Sequence, residues 1–233
     1  MRVIILLGTN FVRTQWVAVA VMTAYLAGAG VLFGWHQQRA DVQFYVQWHS
    51  ANAILIGALI AVPAIWSERR SRRILAVLSK GIARWQYLGG LLCGCAMISA
   101  WFTLLIGTIS YWLCFRGAIP TGGLLSLMLA VLLCSVTAES AALLMAAMLH
   151  PLLAMVATSV LLLFPLGIES SGWHPASELF PVASLVQVLR SFRFQPAGTG
   201  LWRIAAGAIA EAVLFWAVGS AIFSRRDVTI SPE

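Results

Sequence analysis

The sequence predicts an all-α polytopic membrane protein with six transmembrane helices and an N-terminal interfacial helix. Of its 233 residues, 61% are hydrophobic and only 10% are charged, whereas soluble domains are roughly 45–50% apolar and about 25% charged. The mean hydropathy is +0.89. The apolar stretches are long and continuous, which favours helices over the alternating strands of a membrane barrel. A soluble enzyme and a disordered chain are therefore excluded.

Tryptophan residues near the ends of the apolar runs help to set the boundaries of the spans, because tryptophan prefers the membrane–water interface. The six predicted spans are 15–34, 44–65, 85–113, 123–149, 151–167 and 201–223. His150 and Pro151 divide the fourth span from the fifth, since proline begins a helix more readily than it continues one. The fifth span is short, because a crossing needs roughly 20 residues.

The distribution of basic residues predicts the orientation of these spans. The net charge is +7, from 15 basic and 8 acidic residues, and the cytoplasmic side of a membrane protein carries the excess of arginine and lysine. Ten basic residues fall on one predicted side: Arg2, Arg13, Arg69, Arg70, Arg72, Arg73, Lys80, Arg84, Arg225 and Arg226. The other side has five: Arg39, Arg116, Arg190, Arg193 and Arg203. We therefore expect both termini in the cytoplasm. The chain is further expected to lie in the inner membrane and to have no nucleic-acid partner.

Residues 1–13 form an apolar stretch interrupted by Arg2, Asn10 and Arg13, and this stretch is too short to cross a bilayer. A helix lying along the inner leaflet is the expected form. The four cysteines fall in or beside apolar stretches, and the histidines are scattered. No metal site and no catalytic residues are expected from this pattern.

The segment from Ser67 to Tyr87 is the most informative part of the sequence. As a helix it would place arginines and a lysine along one side and leucines and isoleucines along another. The polar side would carry Arg69, Arg72, Arg73 and Lys80, and the apolar side Ile74, Leu75, Leu78 and Ile82. One interpretation is an anchor on the inner leaflet, with arginines on lipid phosphates. The other is a docking helix for a cytoplasmic partner.

The order of features around this segment resembles a known family. An apolar span is followed by Glu-Arg, a leucine-rich helix, a basic residue beside an aromatic one, and a glycine-rich span. The matching residues are Glu68, Arg69, Leu75, Leu78, Ile82, Arg84 and Trp85, with a looser second match at Leu179-Phe180-Pro181, Ser184-Leu185 and Leu189-Arg190. This pattern is similar to the membrane subunits of ABC-2 type transporters, the type-2 ABC exporter permeases. Gly81 stands where those proteins usually have proline.

The resemblance implies a permease subunit that couples ATP hydrolysis by a separate subunit to export. Such subunits pair as homodimers or heterodimers and bind two cytoplasmic ATPases, which carry the ATP and magnesium. A cytoplasmic coupling helix between spans two and three makes that contact. The resemblance assigns this role to Glu68, Arg69, Arg72, Arg73, Leu75, Leu78 and Lys80. The chain itself lacks a phosphate-binding G-x-x-x-x-G-K-[ST] loop and is not expected to be an enzyme.

Two acids inside predicted spans are candidates for a transport pathway. Glu139 lies midway through the fourth span and Glu211 near the middle of the sixth. An ionised carboxylate at bilayer depth costs at least about 2.5 kcal/mol, so both should face protein or water. Each acid either lines a pathway or is a protonated, hydrogen-bonded structural group between helices.

Glycines four residues apart favour close approach of helices. Gly30 and Gly34 in the first span and Gly90 and Gly94 in the third have this spacing. Because the family dimerises along its first and fifth spans, the resemblance favours Gly30 and Gly34 for dimer packing. Residues 168–200, with an apolar stripe at Leu185–Phe192, are expected either to cap the outer end of the pathway or to complete the short fifth span.

The main alternative function is an ATP-independent membrane protein, either a small secondary transporter or an assembly factor. Secondary transporters often show repeated halves and interrupted helices, and the sequence shows neither clearly. The transported substrate is not encoded in any motif.

Overall fold

Seven α-helices make up the part of the chain that the computed structural model describes, which comprises residues 1–35, 39–70, 77, 79, 81–170 and 201–225. No strand occurs within these residues, which confirms the predicted all-α class. The helices are α1 Arg2–Thr14, α2 Trp16–Phe33, α3 Arg39–Arg70, α4 Arg84–Arg116, α5 Leu124–Met148, α6 Pro151–Ser170 and α7 Leu201–Arg225.

Five of these helices have the length and apolar composition to cross a membrane. They are α2, α4 and α5 over their full lengths, α3 over Arg39–Glu68, and α7 over Trp202–Arg225. By the same criteria of length and composition, α6 contributes an apolar helix over Pro151–Leu162, which is too short for a span. The finding is a helical membrane protein with at least five candidate spans in the described residues.

Helix α3 extends well beyond the predicted span 44–65. It begins at Arg39, passes through Pro63 and ends at Arg70 without a break. Proline is tolerated inside membrane helices because neighbouring groups satisfy the freed backbone carbonyl, so Pro63 does not end the helix. Ser67–Arg70 therefore form the last turn of α3.

Helix α5 forms the centre of the bundle and packs against α3, α4, α6 and α7. Its contact faces are rich in small residues, since Ala130, Ala138 and Ala142 are fully buried. Small side chains allow membrane helices to approach closely, where van der Waals contact replaces the missing hydrophobic driving force. Helix α2 is peripheral and exposes Val21, Val31 and other apolar side chains that a bilayer would cover.

A glycine crossing joins α1 to α4. A Cβ atom added at Gly94 would lie 2.9 Å from the carbonyl oxygen of Gly8, and one added at Gly90 would lie 2.5 Å from the Cβ of Leu7. Phe11 then fills the space beside Gly94 and is buried. The crossing therefore depends on glycine at these positions, and it holds α1 against the first three turns of α4.

The start of α4 is also tied to the end of α7. Arg84 Nη1 donates hydrogen bonds to the carbonyl oxygens of Phe223 (3.2 Å) and Ser224 (2.9 Å). A cation is favourable at a helix C-terminus, where carbonyl groups lack helical partners. Tyr87 stacks on Phe223 with ring centroids 6.2 Å apart. We call this region, where α3 ends, α4 begins and α7 ends, the basic end of the bundle.

Candidate functional site

Glu139, near the centre of α5, is a fully buried acid with an identified polar partner. Its side chain is fully inaccessible to solvent. Ser99 of α4 donates a hydrogen bond from its hydroxyl to Glu139 Oε1. The second carboxyl oxygen, Oε2, has no hydrogen-bond partner among the described residues. The acid therefore lies inside the bundle, between helices, and one of its two oxygens is unsatisfied there.

Gly57 of α3 makes room for this pair. A Cβ atom at this position would lie 2.8 Å from Glu139 Oε1 and 3.0 Å from Ser99 Oγ. Any larger residue would therefore displace the carboxyl group or the hydroxyl group. Three helices thus converge on one polar point: α3 supplies the space, α4 the donor and α5 the acid.

Glu211 is placed differently from Glu139. It lies on α7, is half-buried, and falls within electrostatic range of Cys134 on α5. The neighbouring contact between these helices is polar, because Thr137 Oγ1 donates to the carbonyl oxygen of Ala208 at 3.3 Å. Cys134 and Thr137 lie on a side of α5 other than that of Glu139. The structure therefore does not bring the two predicted pathway acids to one site.

The predicted coupling residues are only partly within the described chain. Glu68 and Arg69, which the sequence places near the start of the coupling helix, lie in the last turn of α3. Glu68 lines a cavity of about 150 Å³ together with Asn10 and Phe11 of α1, and with Val77 and Tyr87. The other predicted coupling residues, Arg72, Arg73, Leu75, Leu78 and Lys80, lie outside the described residues.

Gly81, which stands where the pattern that the sequence resembles has proline, adopts a backbone conformation that proline cannot. Its φ is +75°, in the left-handed region. Proline is fixed near φ −65° and cannot adopt this conformation, whereas glycine adopts it at no steric cost. After this turn, Gln86 Oε1 accepts a hydrogen bond from the Ala83 backbone N–H at 3.2 Å, which fixes the first turn of α4.

Gly30 and Gly34 both face α4 of their own chain. A Cβ atom at Gly30 would lie 2.6 Å from Ile109, and one at Gly34 would lie 2.8 Å from Trp112. Both glycines thus have an intramolecular contact, and their role in dimer packing stays a prediction. The close approach favoured by Gly90 and Gly94 is present, with α1 as the partner.

Sequence reasoning missed Gly57, Ser99 and Gly8. Glu139 was identified because an acid in an apolar span is costly, but small residues such as Gly57 and Ser99 are common in membrane helices and do not stand out. Within the described residues, no group of three histidine, cysteine, aspartate or glutamate residues is arranged to hold a metal. The apolar stripe at Leu185–Phe192 lies outside the described residues.

Neither a model of a known protein family nor a curated protein sequence matches this chain. The structure shows a helical membrane protein with a polar point in its core and a basic end where α4 is hydrogen-bonded to the end of α7 and crosses α1 closely.

Proposed function

We propose that this chain is the membrane subunit of an ATP-driven exporter of the ABC-2 type, acting with a separate cytoplasmic ATPase. The proposal includes a sixth span over α6, a coupling helix between α3 and α4, and both termini in the cytoplasm. It also includes pairing with a second permease subunit in the inner membrane. The observation that carries it is the construction of the basic end.

At both of its ends, the connection between α3 and α4 joins residues that contact other helices. At its start, Glu68 lines a cavity with α1. At its end, Arg84 bonds the last carbonyl groups of α7, and six residues later Gly90 contacts α1. A partner that pushes on this connection would therefore move α1, α4 and α7 together. This mechanical arrangement is what an ATPase-driven permease requires.

The charge of this connection supports the same proposal. Arg69, Arg70, Arg72, Arg73, Lys80 and Arg84 give it six basic residues. A basic, amphipathic segment at the cytoplasmic surface provides both an anchor for anionic lipid and a complementary surface for an acidic groove on a partner.

The test is co-purification of the chain with an ABC ATPase, sought first among the products of neighbouring genes, followed by measurement of ATP hydrolysis in proteoliposomes. We expect a complex with two ATPase copies whose hydrolysis rate changes on assembly. Replacing Arg72 and Arg73 with glutamate should remove both the association and this change. Replacing Arg39 and Arg116, at the opposite end of the bundle, with glutamate serves as the matched control.

Two outcomes would count against the proposal. A wild-type chain that never associates with an ATPase would favour the alternative, an ATP-independent transporter or an assembly factor. Association and hydrolysis that survive the Arg72→Glu and Arg73→Glu changes would confine these arginines to lipid anchoring.

A further inference from the structure

The unsatisfied oxygen of Glu139 requires an explanation that the packing of α5 does not provide. The carboxyl group is fully buried, accepts one hydrogen bond from Ser99 at Oε1, and has no described partner at Oε2. Buried polar atoms in native proteins nearly always have a protein or water partner. An acid at membrane depth is by default a functional group that faces a cavity or another polar group. Oε2 is therefore the atom at which a small polar ligand would bind.

Three further buried hydroxyl groups also lack a hydrogen-bond partner within the described chain, and they lie on the two helices, α3 and α4, that face Glu139. Ser50 of α3 and Thr103 and Ser110 of α4 are buried and have no hydrogen-bond partner among the described residues. Helical spacing places them on the faces that carry the Glu139 site, because Ser50 is seven residues from Gly57, and Thr103 and Ser110 are four and eleven residues from Ser99.

These hydroxyl groups all lie on one side of Glu139. Helix α3 ends at the basic end and α4 begins there, so residues before Gly57 and after Ser99 are both displaced away from it. At 1.5 Å per residue, Thr103 lies about 6 Å, Ser50 about 10 Å and Ser110 about 16 Å beyond the level of Glu139. The unpartnered atoms thus form a polar track towards the opposite end of the bundle.

On the other side of Glu139, towards the basic end, the same faces of α3 and α5 are apolar. Ala61 of α3 and Ala142 and Leu143 of α5 occupy this region and are buried. The described residues of α3 and α5 on this side contain no buried hydroxyl group without a hydrogen-bond partner. On α4, the buried Leu91 lines the cavity that Glu68 and Asn10 also line. The carboxyl group therefore lies at the inner end of the polar track, with apolar residues of α3 and α5 on its other side.

We infer that Glu139 is a proton-binding site that water reaches along this track from the end of the bundle opposite the arginines. In the binding step, Glu139 Oε2 takes a proton from hydronium, which leaves one water molecule and a neutral carboxylic acid. In the reverse step, the acid returns the proton to water in the track. The Ser99 hydroxyl remains on Oε1 throughout and orients the carboxyl group.

A proton fits this site better than a metal cation. Hard cations such as Ca²⁺ and Mg²⁺ take six or more oxygen ligands, whereas the described hydrogen-bond partner of Glu139 is a single hydroxyl group, that of Ser99. The surrounding charges do not neutralise the carboxylate either. On α4 the titratable neighbour is Cys95, and on α3 His49 lies about 12 Å along the helix from Gly57. The described side chains of α6 through Leu162 are not titratable, and Glu211 on α7 lies near Cys134.

The first experiment measures water access by cysteine labelling in proteoliposomes of known orientation. The background variant lacks Cys93, Cys95, Cys114 and Cys134, which are all free thiols. A charged, membrane-impermeant thiosulfonate is added to the side opposite the basic end. We expect Thr103→Cys and Ser110→Cys to react and Leu91→Cys not to react. Leu104→Cys, on the adjacent lipid-facing position, controls for entry of the reagent through the bilayer.

Equal labelling of Thr103→Cys and Leu91→Cys, or labelling only from the basic end, would overturn the inference. This experiment keeps Glu139 intact, so it remains decisive if substitutions of the acid prevent folding. It also does not depend on an ATPase, so its failure is distinguishable from a failure of the proposed function.

The second experiment detects the proton itself by infrared difference spectroscopy between acidic and alkaline buffer. We expect a protonated-carboxyl C=O band that shifts in D₂O, is lost in Glu139→Gln and is retained in Glu211→Gln. A band that does not shift in D₂O would show that water does not reach the site. A band that responds to sodium at constant pH would identify a metal cation in place of the proton.

Discussion

The basic end and the core around Glu139 are built from the same helix, α4, but they are stabilised in opposite ways. At the basic end, glycines remove side chains so that α1 contacts α4 closely, and Arg84 satisfies the exposed carbonyl groups of α7. In the core, Gly57 also removes a side chain, but the space is used by a polar pair. In the first region hydrogen bonds from Arg84 fix α4 to α7, whereas in the second the Glu139 carboxyl group retains an oxygen without a described hydrogen-bond partner. This difference is the one expected if, as proposed, the first region transmits movement and the second binds a proton.

The largest expected effect comes from filling the glycine crossing of α1 and α4. In Gly94→Ala the new Cβ would lie 2.9 Å from the Gly8 carbonyl oxygen, so a backbone segment has to move. Overpacking of this kind costs about 1–3 kcal/mol, and we expect the upper part of that range. Thermal unfolding in detergent measures the loss. Gly28→Ala is the control, because a Cβ there meets nothing within 4 Å; equal melting temperatures for the two variants would contradict a tight crossing.

A somewhat smaller effect is expected from Gly57→Ala in the core. The new methyl group would meet the Glu139 carboxyl and the Ser99 hydroxyl, which can rotate aside more easily than a backbone can. We expect a loss of about 1–2 kcal/mol, together with loss of the Glu139 infrared band or a change in its frequency. A destabilised variant with an unchanged band would show that Gly57 is a packing residue without influence on the acid.

Arg84→Gln tests the link between α4 and α7. Hydrogen bonds from charged groups contribute about 1.5–3 kcal/mol when buried, but Arg84 is partly exposed, and screening reduces this to about 1 kcal/mol. We expect lower thermal stability and faster labelling of a cysteine placed at Ser224. Arg203→Gln, an exposed position on the same helix α7, provides the matched control and should melt as the wild type does.

The sequence predicts the parts of this molecule that depend on composition and periodicity. Hydrophobic length identifies the spans, and the cost of an acid in an apolar helix identifies Glu139. The packing partner of each helix face cannot be predicted in this way, because it depends on which helix faces meet. Gly30 and Gly34 have the spacing of a dimer seam, yet they contact Ile109 and Trp112 of the same chain. The spacing of glycines shows that a face is flat, but it does not show which helix packs against it.

The end of α3 shows a second limit of sequence reasoning. Trp66 suggests a boundary after residue 65, but the helix passes through Pro63 and continues to Arg70. Tertiary neighbours satisfy the backbone around proline in membrane proteins, and those neighbours are not visible in a sequence. For the same reason Ser99 is missed, because only its position opposite Glu139 distinguishes it from other serines in the spans.

The smallest expected effect contrasts the core pair with a hydrogen bond on the lipid-facing side. Trp101 Nε1 donates to Thr23 Oγ1 at 3.1 Å and joins α2 to α4 at an exposed position. Interhelical hydrogen bonds in membranes average about 0.6 kcal/mol, so we expect Thr23→Val to lower stability by about that amount. Ser99→Ala should cost more, because it leaves the buried Glu139 carboxyl without its donor. Equal losses in the two variants, measured by unfolding in mixed micelles, would mean that water takes the place of the missing Ser99 hydroxyl at Glu139 in the alanine variant.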